Sequence, residues 1–117
     1  MDTIIYNPND VIDISLTYKT GVTAQSSNYV SFKKTGRVCN LIASLKIEKD
    51  ASTGWYELAH FSSQYAPKAD MLLTAERFGT LQGEIKITNY GYIFTDKTEA
   101  MDGGDMALLR FVATWII

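Results

Sequence analysis

The chain has 117 residues, 46% hydrophobic and 21% charged, with a formal net charge of -2 and both signs interspersed. That length fits one domain, residues 1–117, and the composition excludes a disordered or membrane-embedded chain. No apolar run approaches the ~20 residues of a membrane span, and there is no basic excess of the kind a nucleic-acid binder carries.

Residues 1–10 read as a lead-in. Asp2 and the polar Asn7-Pro8-Asn9-Asp10 run leave no place for the apolar core of a signal peptide. From Val11 to Tyr18 the residues alternate, which predicts a strand with Ile12, Ile14, Leu16 and Tyr18 inward. A polar loop covers 19–28. Tyr29, Val30 and Phe32 then precede Lys33-Lys34-Thr35-Gly36, where glycine can take the positive φ of a tight reversal. After the turn, Cys39, Leu41, Ala43, Leu45 and Ile47 share one face. Asn40, Ser44, Lys46 and Glu48 share the other, with Ile42 the apolar residue among them. This is a β-hairpin with one buried face.

A second turn is expected over Asp50–Gly54, followed by a short strand over 55–61 with Tyr56, Leu58 and His60 on one side. A loop then carries Tyr65-Ala66-Pro67. Residues 71–78, MLLTAERF, have helix-forming composition, but Gly79 and the strand-rich context favour an extended reading. In 81–88, Leu81, Gly83, Ile85 and Ile87 alternate with Gln82, Glu84, Lys86 and Thr88. Asn89-Tyr90-Gly91 is a hairpin turn, and 92–95 returns. A polar loop over 97–105 leads to the last run, 107–117. There Leu109, Phe111, Ala113, Trp115 and Ile117 share one face, while Leu108, Val112 and Ile116 sit on the other beside Arg110 and Thr114. A strand apolar on both faces needs cover on both, and this one ends at Ile117 without a polar tail. About eight antiparallel strands with no long helix predict an all-β, jelly-roll-like β-sandwich.

Chemistry-bearing residues are sparse. Cys39 is the single cysteine, so no disulfide or thiolate cluster forms within the chain, and its place on an apolar face makes it a small core residue. His60 is the single histidine, with no second imidazole for a metal pair. Asp102-Gly103-Gly104-Asp105 lacks the ligand ladder of a calcium loop, and no spacing marks two of Glu57, Glu76, Glu84 and Glu99 as a hydrolytic pair. The reading is therefore a non-enzymatic chain without cofactor or metal. Aromatics are abundant, with seven Tyr, five Phe and two Trp, several beside turns: Trp55, Tyr56, Tyr65, Tyr90 and Tyr92. Flat rings framed by polar groups are the surface that binds sugars. The candidate saccharide site is Trp55 and Tyr56, framed by His60, Asp102 and Asp105, at a loop-rich end of the sandwich.

Taken in order, YVSFKKTGRVCNLIASLKI, WYELAHFSSQYAPKA, GEIKITNYGYIF and LLRFVATWII resemble the C-terminal head domains of phage tail-fibre and baseplate receptor-binding proteins. The resemblance rests on Lys34 to Arg37, Tyr65 and Pro67, Ile85-Ile87-Gly91-Ile93 and Phe111 to Ile116, and covers Tyr29 to Ile117. Phe61-Ser62 and Ala66 depart from that pattern in the central loop. The resemblance implies a homotrimeric head in the virion, normally carried on an N-terminal shaft, that binds host cell-wall saccharide and other tail or baseplate proteins. Two further readings compete with it. One is a structural tail or baseplate subunit binding only virion proteins; the other is a small bacterial carbohydrate-binding module.

Overall fold

The computed structural model describes residues 11–25, 29–47, 55–77, 81–95 and 107–117. The lead-in, the 50–54 turn, Phe78, Glu99, and Asp102 and Asp105 with their loop lie outside the described residues, as do the side chains of Leu81 and Leu108.

The chain is all-β and forms a single domain. In order, the strands are β1 (Val11–Asp13), β2 (Thr17–Tyr18), β3 (Val22–Ala24), β4 (Val30–Thr35), β5 (Val38–Ile47), β6 (Tyr56–His60), β7 (Met71–Arg77), β8 (Leu81–Ile87), β9 (Tyr92–Thr95) and β10 (Ala107–Ile116). A 3-10 turn at Ser63–Tyr65 interrupts them, and no α-helix occurs among the described residues. Residues 71–77 are extended, as the strand reading expects: β7 pairs along its whole length with β8, and tertiary pairing overrides its helical composition.

All registered pairs are antiparallel, in the order β1-β4-β5-β10-β7-β8-β9-β6-β2, with β3 beside β4 on the same edge of β5. β1 and β2 stand at opposite ends of this order, yet only Ile14 to Leu16 separate them in the chain. The sheet therefore has to curl until its ends meet. Two backbone bonds hold the crossing segment, Ile14 N–H to the Phe32 carbonyl and Lys19 N–H to the Leu58 carbonyl, both 2.9 Å. At the opposite side β7 and β10 share two registered pairs among the described residues, Leu109↔Arg77 and Arg110↔Glu76. From Phe111 to Ile116 the registered partner of β10 is β5, through Ile116↔Val38.

The inward faces alternate as the sequence predicts. Cys39, Leu41, Ala43, Leu45 and Ile47 from β5, and Leu109, Phe111, Ala113 and Trp115 from β10, are buried against Ile85, Ile87 and Ile93. Phe32, Phe61 and Trp115 meet at the centre, with Phe32 edge-on to Phe61 at 4.9 Å and to Trp115 at 5.6 Å. Burying each such side chain stabilises the fold by roughly 1.5–3 kcal/mol. The Trp115 indole N–H donates to the Tyr65 carbonyl at 2.7 Å, so the loop after β6 packs under β10. Tyr65, a candidate platform in the sequence, is thus packed against the core. Cys39 is a buried free thiol, and burial pushes it up from its ordinary pKa while the nearby Lys34 charge pulls it partly back.

Of three described glycines with positive φ, two close hairpin turns. Gly36 has φ 62° between β4 and β5, as the hairpin reading requires. Gly91 has φ 92°, and a Cβ there would lie 2.5 Å from the Phe61 carbonyl oxygen. The β8–β9 turn is closed by Gly91 N–H to the Thr88 carbonyl at 3.0 Å, and the Thr88 hydroxyl accepts from the amide of Tyr92 at 3.1 Å.

One expectation fails. Ile12 is exposed, because β1 pairs only with β4 at the end of the strand order and no second layer among the described residues reaches it. Val112 and Ile116 are 62% and 64% exposed, so the outer face of the last strand lacks cover among the described residues, the cover its two-faced apolar pattern calls for.

Candidate functional site

The outer faces of the two long strand groups differ in chemistry. Around β6, β8 and β9 an irregularity in β6 sets the pattern. Glu57 pairs with Phe94 and Ala59 with Ile93, leaving Leu58 as an extra residue. Leu58 and Ala59 are both fully buried. In a regular strand residues 57 and 60 would face opposite ways, but the bulge resets the phase and brings Glu57 and His60 to one face. Strict alternation puts His60 with Tyr56 and Leu58, and the bulge overturns that placement.

On this outer face a row of rings runs across β6 and β9, with Lys86 of β8 beside it. The His60 ring is 5.6 Å from Tyr92, and Tyr92 is 6.3 Å from Phe94. The Lys86 ammonium lies 4.7 Å from the centre of the Trp55 ring and 5.9 Å from that of Phe94. Trp55 is 44% exposed and Tyr92 41%, so both offer ring surface to solvent. Glu57 Oε2 lies 3.7 Å from His60 Nδ1, near enough to pair with a protonated imidazole but too far for a hydrogen bond. That nitrogen is shielded from solvent and has no hydrogen-bond partner.

Trp55 and His60 therefore share one face. Tyr56 does not join them, since it pairs with the buried Thr95 and packs against the core. Tyr92, Phe94 and Lys86 complete the row. Phe94 and Lys86 were missed in the sequence, although alternation of Tyr92 and Phe94 with the buried Ile93 and Thr95 marks the first pair as outward. Tyr90 is exposed at the hairpin tip. This row lies on the face of the sheet, and the loops of the predicted loop-rich end lie outside the described residues.

The outer face of β5 and β10 is aliphatic. Ile42 pairs with Val112 and Val38 with Ile116, and all four are exposed. Polar groups on this face bond to one another: Thr114 Oγ1 to Asn40 Oδ1 at 3.0 Å, Arg110 Nε to Ser44 Oγ at 3.3 Å, and Ser44 Oγ to Gln25 Oε1 at 2.6 Å. Such a face loses little by leaving water.

No group of three or more His, Cys, Asp or Glu that could hold a metal occurs among the described residues, and no helix there is long and apolar enough to cross a membrane. No protein-family model matches the sequence, and no curated protein matches it closely enough to count as a relative.

Proposed function

We propose that this chain is a non-enzymatic adhesion head of the phage tail-fibre or baseplate receptor-binding type, which recognises a host cell-surface saccharide as part of a virion. The observation that carries the reading is the row of Trp55, Phe94, Tyr92 and His60 beside Lys86 and Glu57. Exposed rings cover the C–H side of a sugar, and charged or hydrogen-bonding groups at their border orient its hydroxyls.

The finer architecture is a flattened, jelly-roll-like sandwich. One layer holds β1, β4, β5 and β10 with β3; the other holds β7, β8, β9, β6 and β2. The narrow β7–β10 seam and the short crossing at Ile14 to Leu16 support that division. The head is a homotrimer, with the aliphatic face of β5 and β10 turned to neighbouring copies. Binding of the chain and of Trp55→Ala to immobilised bacterial-wall glycans tests the saccharide reading, and light scattering tests the trimer.

A second reading has its own support. The Val38, Ile42, Val112 and Ile116 stripe suits protein contact, so a structural tail subunit binding only virion proteins would also display it. Such a subunit would assemble but retain no glycan.

A further inference from the structure

The strand switch that closes the sheet leaves a slot. β1 follows β4 only to Asp13↔Lys33, and β2 then joins β6 on the other side. The chain between them departs from β4, and a cavity of about 350 Å³ opens there. Ile14, Leu16, Val30 and Phe32 give its wall an apolar part, and Tyr18 and Ser31 add polar atoms beside them. Ile14 and Phe32 are buried members of the core, so the slot reaches from the surface to the core. Asp13 and Lys33 line the same cavity and are both exposed.

Two features make this more than a packing gap. The Phe32 carbonyl already accepts from Ile14 N–H toward the crossing segment. In an antiparallel strand, residues two apart turn their backbone groups to the same edge, so Val30 presents its amide and carbonyl to the slot beyond the point where β1 departs. The charged pair, moreover, is loose. Lys33 Nζ and Asp13 Oδ1 are 3.6 Å apart on side chains 51% and 84% exposed, so the pair is worth little and opens at small cost.

We propose that this slot binds a small zwitterion with an aliphatic side chain, of the chemical class of a free branched-chain α-amino acid. Asp13 takes the ammonium and Lys33 the carboxylate, while the side chain lies on Ile14, Leu16, Val30 and Phe32. The volume falls within the range of small-molecule clefts, and the wall sets aliphatic and aromatic side chains beside polar groups that can orient a ligand. This site is separate from the aromatic row and does not depend on the saccharide reading.

The test is an NMR titration of the whole chain with L-leucine, glycine, 3-methylbutylamine and 4-methylpentanoate. The last three remove in turn the side chain, the carboxylate and the ammonium. Leucine should saturate with shifts at Ile14 and Val30, and each truncated ligand should bind at least about tenfold more weakly. Asp13→Asn and Lys33→Gln, both at exposed positions, should keep the parent melting temperature and each weaken leucine at least about tenfold. Absence of leucine shifts at millimolar ligand would overturn the proposal. So would glycine binding as well as leucine, or a well-folded variant binding leucine like the parent.

Discussion

The two outer faces of this molecule are made by the same rule and carry opposite chemistry. On β5 and β10 the outward positions are Val38, Ile42, Val112 and Ile116, with the polar residues among them bonded to one another. On β6, β8 and β9 they are rings and charges: His60, Tyr92, Phe94, Lys86 and Glu57, with Trp55 at the border. Period-two alternation, reset once by the bulge at Leu58, fixes which residues face out, and residue type then decides what each face can bind. A face of aliphatic groups with satisfied polar neighbours suits another protein surface. A face of open rings beside charged groups suits a hydroxylated ligand.

The largest expected effect removes both faces together, because both rest on one core. Trp115→Ala should cost about 3–5 kcal/mol, through the lost contacts with Phe32 and Phe61 and the orphaned Tyr65 carbonyl. Denaturant unfolding measures it; a loss below about 1 kcal/mol would mean that the layers do not share this centre. Gly91→Ala strikes nearer the aromatic face. It forces a side chain onto positive φ and into the Phe61 carbonyl, and should cost roughly 1–3 kcal/mol while loosening the β8–β9 hairpin. Hydrogen exchange should report faster opening at Tyr92 and Ile93 than at Leu41.

Val112→Asp separates the faces cleanly. At a position 62% exposed in the single chain, a charge should change folding stability by no more than about 0.5 kcal/mol. If the stripe is covered by another copy, the same charge should weaken self-association at least about tenfold by light scattering. An assembly unchanged by this variant would place the interface elsewhere.

Much of the fold was legible because alternation is a local signal. The inward sets of β5 and β10, the glycine at Gly36 and the Asn89-Tyr90-Gly91 turn all follow from neighbouring residues alone. The site was less legible for a local reason too. One extra residue at Leu58 inverts the phase of His60, and no propensity marks a bulge. Tyr65 shows another limit: it sits beside Pro67 like a surface ring, but its carbonyl holds Trp115 from fifty residues away, and only the tertiary fold reveals that. Ile12 fails for a topological reason, since whether a strand end lies under a second layer is not written in its own residues.

A smaller effect concerns pH. Burial raises both the Cys39 thiol and the Tyr18 phenol above their ordinary values. Both groups are neutral when protonated, so their share of stability is intact below those ordinary values. It falls as pH climbs toward the raised ones, since only the unfolded chain ionises freely. Thermal melts should therefore decline on the alkaline side, and Cys39→Ala should flatten the earlier part of that decline. An identical alkaline profile in the variant would remove the thiol from the account.

The division of labour between the faces is tested most directly by glycan-array binding of the parent and Trp55→Ala, with folding checked by thermal melt. The parent should be retained on a subset of bacterial-wall saccharides. Loss of the Trp55 ring should weaken that retention by about ten- to a hundredfold, or roughly 1–3 kcal/mol, with the melt unchanged. A parent that binds no glycan, or a well-folded Trp55→Ala that binds as the parent does, would contradict it.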